Sequence, residues 1–365
     1  MVKRLFTLIS TVFILLNTQA YTADYITNVG GGNHYNGQRG QYFNGKTYFI
    51  FGGGGDNWLD PMIMSYNHKT ALVQGPVKIG ENPLSAENDF HGNPGMVVDN
   101  DGYIHVIWGG HGSYSGEQKY ARSTAPENIT SWTYLNNIEP ESTYPNLLTL
   151  SDGTIFLFYR DGNHRDSWVY QTSTDNGDSW SQKVEVLVSG AKRNDGIYFE
   201  ENYYDSWYAT RGVYKGQNDT IHIIFSYHAC ANDWGKNYHL QRRVNMYYIK
   251  ITPDEKWLTA RGTQLPHPIT REVAENKCRI YESEIKKGEN IVYSVYPNSL
   301  DSDSTDKPYI SMRVRLHPNY SVFDGEPKFL KWSGNMWELF DSRSAGQVIV
   351  ISPNDIEIYR ACPTT

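Results

Sequence analysis

The sequence predicts an all-β fold, a single β-propeller built from four-stranded blades, on three observations. A short phrase, a Gly- or Asp-bearing turn followed by a β-rich run, recurs at roughly 50- to 70-residue spacing, the length of one blade with variable loops. Apolar residues almost nowhere recur at helical spacing. Aromatic and glycine content is high (28 Tyr, 13 Phe, 10 Trp, 32 Gly), as expected of many short packed strands joined by tight turns. On chain length, seven blades are favoured over six.

Residues 1–20 read as a secretory signal. Lys3 and Arg4 form a basic start, Leu5 to Leu16 a short apolar stretch, and Thr18-Gln19-Ala20 a peptidase site. The apolar run is too short for a bilayer span, and no later segment offers eighteen apolar residues, so no membrane helix is expected. Residues 21–365 then form one exported propeller domain, extracellular or periplasmic, expected to act as a monomer. Its repeat phrase appears as Asn44-Gly45-Lys46-Thr47-Tyr48, as Asp101-Gly102-Tyr103-Ile104-His105 and as Asp152-Gly153-Thr154-Ile155-Phe156. Looser copies start at Asn218 and Glu289. One repeat carries a fuller signature, Ser173-x-Asp175-x-Gly177-x-x-Trp180, the Asp-box of neuraminidase-type repeats. Its expected work is structural: Asp175 caps turn amides, Gly177 takes positive φ, and Trp180 packs under the hairpin.

The formal net charge is −7, and two units more negative without Lys3 and Arg4. That balance argues against nucleic acid as a partner, and an anionic ligand must be read by a local cationic pocket. Three cysteines, Cys230, Cys278 and Cys362, are too few for a disulfide framework. They leave either one bridge plus a free thiol, or a metal site using one or two of them.

Four polar segments fall at predicted strand ends or turns: Asp89-Phe90-His91-Gly92-Asn93-Pro94, Gly109-Gly110-His111-Gly112, Tyr144-Pro145-Asn146 and Arg160-Asp161-Gly162-Asn163-His164. Each member has a plain reading. His91 and His111 can be turn histidines bonded to neighbouring loops, Arg160 can be the solvated end of a strand, and Tyr144 is one tyrosine of 28. Pro145 biases Tyr144 toward extended backbone. Together they supply the roles that β-elimination on a uronic acid requires. An arginine pairs with the carboxylate and stabilises the enolate, a histidine or tyrosinate removes the C5 proton, and a tyrosine or histidine protonates the departing O4 oxygen.

A second cluster is His228-Ala229-Cys230 with His239. His228 and Cys230 share one face of an extended segment, and His164 or Cys278 would complete a tetrahedral N/S set suited to structural zinc. A buried thiol among satisfied histidines is the alternative. The stretch from Asn202 to Arg211 is dense in aromatics, and Tyr204 or Tyr208 can reach a bound saccharide, although blade packing explains the same rings.

The Asp-box with the D-F-H-G-N-P, G-G-H-G, Y-P-N and Y-R-D-G-N-H segments in this order resembles the bacterial ulvan lyases, secreted seven-bladed propellers of the neuraminidase-repeat group. The resemblance is strongest over residues 33–248 and faint after residue 309. It implies a polysaccharide lyase acting on ulvan, an anionic polymer of sulfated rhamnose and uronic acids. By the same resemblance His91 is the catalytic histidine, Tyr144 the catalytic tyrosine and Arg160 the group that neutralises the uronate carboxylate. His111 is then a second active-site histidine, and a structural zinc falls on His164, His228, Cys230 and His239, with Cys278 competing for a place; from the aromatic stretch, Tyr208 joins His111 as a substrate-binding candidate. Two rivals stand beside this reading. A sialidase-like glycosidase would need an arginine triad and usually several Asp-boxes, and a non-catalytic propeller would bind glycan with the same aromatics.

Overall fold

A computed structural model describes residues 40–53, 59–87, 89–112, 115–195, 203–230, 243–286, 291–316, 325–342, 347–352 and 355–359. The expected signal segment, His239 and Cys362 lie outside the described residues. Three successive antiparallel sheets have four strands each, in simple chain order. The first holds β1 (Gly40–Phe43), β2 (Lys46–Gly52), β3 (Pro61–Asn67) and β4 (Leu72–Lys78). The second holds β5 (Gly95–Val98), β6 (Ile104–Trp108), β7 (Lys119–Ser123) and β8 (Trp132–Leu135). The third holds β9 (Thr143–Thr149), β10 (Ile155–Arg160), β11 (Trp168–Ser173) and β12 (Val184–Leu187). The repeat phrase becomes the second strand of each of these sheets.

The fourth and fifth sheets are larger. One has seven strands, with β14 (Tyr203–Tyr208), β16 (Ile221–Cys230) and β17 (Arg243–Ile251) at its centre. Short strands β13 (Lys192–Arg193), β15 (Val213–Lys215), β18 (Trp257–Leu258) and β19 (Arg279–Tyr281) pair around them. The next has five strands, β20 (Ile285–Lys286), β21 (Ile291–Ser302), β22 (Pro308–Leu316), β23 (Glu326–Trp332) and β24 (Trp337–Asp341). A two-stranded pair, β25 (Gln347–Ser352) and β26 (Asp355–Tyr359), follows. The fold is thus all-β and propeller-like. The described residues form six sheets, the fourth and fifth enlarged by short extra strands.

The sheets stack because their strands are apolar on both faces. Met96 and Val98 of β5 join Ile50 and Ile63 in one core, while Val97 between them points the other way and packs with Leu147, Ile155 and Leu157. Phe156 and Phe158 turn instead to Trp207, Phe225 and Tyr247 of the fourth sheet, and Ile224 and Met246 continue toward Ile310 and Met312 of the fifth. The period of two therefore buries both faces of every middle blade, and the first strands β1, β5 and β9 run next to one another. The entry to β5, the start of β9 and the ends of β6 and β10 consequently meet at one end of the propeller.

The Asp-box does what its residue types dictate, and it also joins two sheets. Asp175 Oδ1 accepts from Ser179 N at 2.9 Å, and Gly177 N donates to Ser173 Oγ at 2.9 Å. Arg122 and Asn137 of the preceding sheet donate to the carbonyls of Asn176 and Gly177, and Trp180 meets Tyr120 edge to face. Beneath the turn, His105 sits between Asp99 and Tyr120 at 3.0 and 2.6 Å, an arrangement repeated by His222 with Asp306 and Tyr248. Gly177 has φ +81°, and a Cβ there would stand 1.9 Å from the Tyr120 hydroxyl. Gly177→Ala is therefore expected to lower the unfolding free energy by about 2–4 kcal/mol, from left-handed strain plus the clash. Urea unfolding measures this, and a loss below about 0.5 kcal/mol would show that the turn is not a structural staple.

Candidate active site

Asp89, which precedes the short 3-10 turn Phe90–Gly92, caps it by accepting from His91 N at 3.0 Å. That bond fixes where the His91 side chain leaves the backbone. His111 follows β6 in a glycine run that the packing demands: a Cβ on Gly110 would meet Ser142 O at 2.2 Å, and one on Gly112 would meet Asn163 Oδ1 at 2.2 Å. Those close approaches press the loop against the start of β9 and the turn after β10. The two imidazoles end up stacked, with centroids 3.6 Å apart and planes within 9°.

One carboxylate serves both rings. Asp89 Oδ2 meets His111 Nδ1 at 2.5 Å, and Asp89 Oδ1 contacts His91 Nδ1. Burial would raise the Asp89 carboxyl, but the hydrogen bonds from His111 and His91 outweigh it and hold the group well below the usual carboxylate range. Burial is also the largest influence on His91, lowering it to about 4 against the pull of Asp89, with His111 and Arg160 pushing the same way. His91 is therefore a neutral imidazole at neutral pH. Among the described residues, Asp89, His91 and His111 also form the one group of donors that all lie within 4.8 Å, close enough to hold a metal ion in place of these hydrogen bonds.

Tyr144 stands 5.5 Å from His91 between ring centroids and stacks on Trp168 at 5.8 Å. The expectation of extended backbone there is corrected: Tyr144 has φ +61°. The register shifts between Phe158 and Arg160, so Tyr144 and Pro145 together oppose Tyr159, and this β-bulge outweighs the bias imposed by the following proline. Left-handed backbone at a tyrosine costs about 1–3 kcal/mol and re-aims the side chain. Arg160 ends β10 with no exposed surface. Its guanidinium lies 4.9 Å from the centre of the Tyr144 ring, and Nε donates to Gly162 O at 3.2 Å. Nη1 and Nη2 have no hydrogen-bond partner among the described residues.

The remaining predicted residues form the adjoining wall. Tyr208 is buried, 6.3 Å from Tyr144 and 5.2 Å from His228 between ring centroids, with the Arg243 guanidinium 3.5 Å from its ring centre. A face covered by arginine suits positioning of the wall more than open stacking on a sugar. His164 lies between the two clusters, 6.4 Å from His111 and 6.3 Å from His228. His228 and Cys230 do share one face of β16, opposite Ser206 and Tyr204. Burial raises the Cys230 thiol, against the neighbouring Arg165, and Cys230 is not drawn into a three-donor group with the two histidines. Neither Cys230 nor Cys278 is in a disulfide. Sequence reasoning missed Asp89, whose i, i+2 relation to His91 is a capping signal, and Arg243, which only the pairing of β16 with β17 places across from His228.

The arrangement can take a proton on His91, deliver one from Tyr144 and bind an anion at Arg160. The chain is similar to known proteins over most of its length. A family model described as BNR repeat-containing family member matches residues 59–339. An ulvan lyase from Pseudoalteromonas sp. (strain PLSV) is 33% identical over 349 residues, which cover 87% of this chain and 67% of that protein. A solved polysaccharide lyase described as an ulvan lyase superposes with TM-score 0.76 at 31% identity, covering 89% of this chain and 78% of the other. A second, bound to -[GlcA(1-4)Rha3S]-, gives TM-score 0.75 at 30% identity, covering 90% and 79%.

A buried guanidinium with two nitrogens unpaired among the described residues is a poor structural device, because the desolvation of a charge goes largely uncompensated. Arg160→Met, of similar length and apolar, is expected to leave the thermal midpoint unchanged or to stabilise the fold by about 1 kcal/mol. Calorimetry measures this; a loss above about 2 kcal/mol would identify Arg160 as a structural residue.

Proposed function

Because the chain belongs to the ulvan lyases, within the BNR repeat-containing family, we propose that it cleaves ulvan by β-elimination at the uronic acid and that the site described above performs the reaction. The observation that carries the site assignment is Arg160, whose Nη1 and Nη2 have no partner among the described residues and make a ready bidentate partner for a carboxylate beside the neutral His91. The uronate carboxylate pairs with Arg160, which draws charge from C5 and stabilises the enolate that forms. His91 Nε2 takes the C5 proton. The electron pair of the C5–H bond becomes the C4–C5 double bond, the C4–O4 bond breaks, and Tyr144 gives its phenolic proton to O4. His111 shares the carboxylate that orients His91, and Tyr208 holds the wall behind Tyr144. Arg160 and Tyr144 have no exposed surface, whereas His91 and His111 keep 24% and 14% of theirs, so substrate enters past the two histidines.

Secretion, on the signal segment, and a monomeric state are part of this proposal. Among the described residues no helix is long and apolar enough to cross a membrane. The proposal also keeps seven blades, on chain length, and a structural zinc held by His164, His228 and Cys230 with His239. Two imidazoles with ring centroids 6.3 Å apart and a thiol on the same strand face as His228 fit zinc in donor type, and the ion would tie β16 to the turn after β10. Elemental analysis is expected to find about one zinc per chain, lost in His228→Ala; purified protein without zinc would remove the metal from the account.

Wild-type protein incubated with ulvan is expected to raise ultraviolet absorbance as unsaturated uronate ends form. His91→Ala and Arg160→Met should each lower kcat/KM by about 10²- to 10⁴-fold. A depressed histidine keeps its basic form down to lower pH, so the acid limb of kcat/KM falls near pH 4 instead of near the ordinary 6.5. New reducing ends without absorbance would point to a hydrolase of sialidase type, and neither signal to a glycan-binding propeller. Full activity in both variants would reject the site while leaving the lyase class.

A further inference from the structure

We propose that Asp89 is a positioning residue that locks His91 and His111 into one stacked pair, each carrying its proton on Nδ1 and leaving Nε2 as the lone-pair nitrogen. The geometry is specific. The two carboxylate oxygens are divided between the rings, Oδ1 to His91 and Oδ2 to His111, and the rings lie parallel at 3.6 Å. An ionised carboxylate only accepts hydrogen bonds, so the nitrogen facing it on each ring must be the protonated one. A neutral imidazole has a single N–H, and Nε2 of both rings is then unprotonated. A single carboxylate beneath both rings orients the two together. The logic is that of an orienting acid behind a histidine base, extended here to two rings on one acid.

The same side chain builds the platform from which it acts. Asp89 Oδ1 also caps the turn at His91 N, at 3.0 Å. Backbone direction, ring orientation and tautomer of His91 are thereby set by one residue two positions upstream. Asp89→Asn would keep one acceptor oxygen, enough for the cap and one ring, but its NH₂ group would face the other ring as a donor. One imidazole must then give up its Nδ1 proton or rotate away. Asp89→Asn thus separates the positioning role from the structural one, and Asp89→Ala removes both.

This inference rests on the lyase reading for its kinetic readout, and a spectroscopic readout stands apart from activity. In protein labelled with ¹⁵N-histidine, nitrogen chemical shifts at neutral pH are expected to report His91 and His111 both as the Nδ1–H tautomer. Either ring as the Nε2–H tautomer, or with a nitrogen ligated to a metal ion, would overturn the proposal whether or not the protein cleaves ulvan. In Asp89→Asn one of the two rings should leave that state, while the thermal midpoint stays within a few degrees of wild type. On ulvan, kcat of Asp89→Asn should fall about 10²- to 10⁴-fold with KM changed less than about threefold. A kcat within about threefold of wild type, or a loss carried by KM, would overturn the positioning role. Absence of activity in the wild type would instead reject the lyase reading and leave the tautomer measurement to decide this one. Should Asp89→Asn fail to fold, the wild-type spectrum alone decides.

Discussion

Among the described residues, the guanidinium of Arg160 is held by one hydrogen bond to the carbonyl of Gly162 and by the face of the Tyr144 ring. No carboxylate of the described residues pairs with it, and a charge so placed raises the free energy of the folded chain unless something from outside completes it. The surrounding structure is arranged around that cost. Apolar packing between sheets, such as the contact of Phe156 and Phe158 with Trp207 and Phe225, holds β10 in place irrespective of what happens at its last residue. Stability generated in the blade interfaces is what allows a destabilised, anion-seeking group at the ring's end.

Around this charge the chain accepts further local strain in order to aim side chains. Tyr144 adopts left-handed backbone at a bulge, which turns its ring between Arg160 and His91. The glycines flanking His111 let two loops approach more closely than any side chain would permit, and the stacked histidines follow from that approach. Burial then sets the protonation state of His91, and the Asp89 carboxylate sets its orientation in the proposed reaction. Burial thus governs the charge of His91, while Asp89 governs the direction in which its ring leaves the backbone.

Much of this was legible in the chain. The repeat phrase located the second strand of each four-stranded sheet, because turn chemistry and period-two burial are both local. The order of the polar segments located His91, His111, Tyr144 and Arg160 at one end of the ring, since consecutive blades place equivalent strand ends together. Other features could not be read. The enlarged fourth and fifth sheets depend on short strands such as β15 and β19 that have no distinct pattern. The bulge at Tyr144 is a register effect between two strands, and its local signal, the following proline, pointed the other way. Asp89 was visible in the motif, yet its hydrogen bonds to two histidines need the fold to bring His111 Nδ1 to 2.5 Å from Oδ2. Arg243 reached Tyr208 through pairing of β16 with β17, which sequence spacing does not encode.

The central claim is that Arg160 is completed by the substrate's carboxylate, and a binding cycle tests it directly. Calorimetric titration would compare an ulvan oligosaccharide with its carboxyl-reduced counterpart, each against the His91→Ala protein and against the double variant that adds Arg160→Met. With Arg160 present, carboxyl reduction is expected to weaken binding about 10- to 100-fold, and in the double variant, which lacks the guanidinium, the two ligands should bind alike. An equal loss on carboxyl reduction in both proteins would contradict the account, because the carboxylate would then be read by some other group.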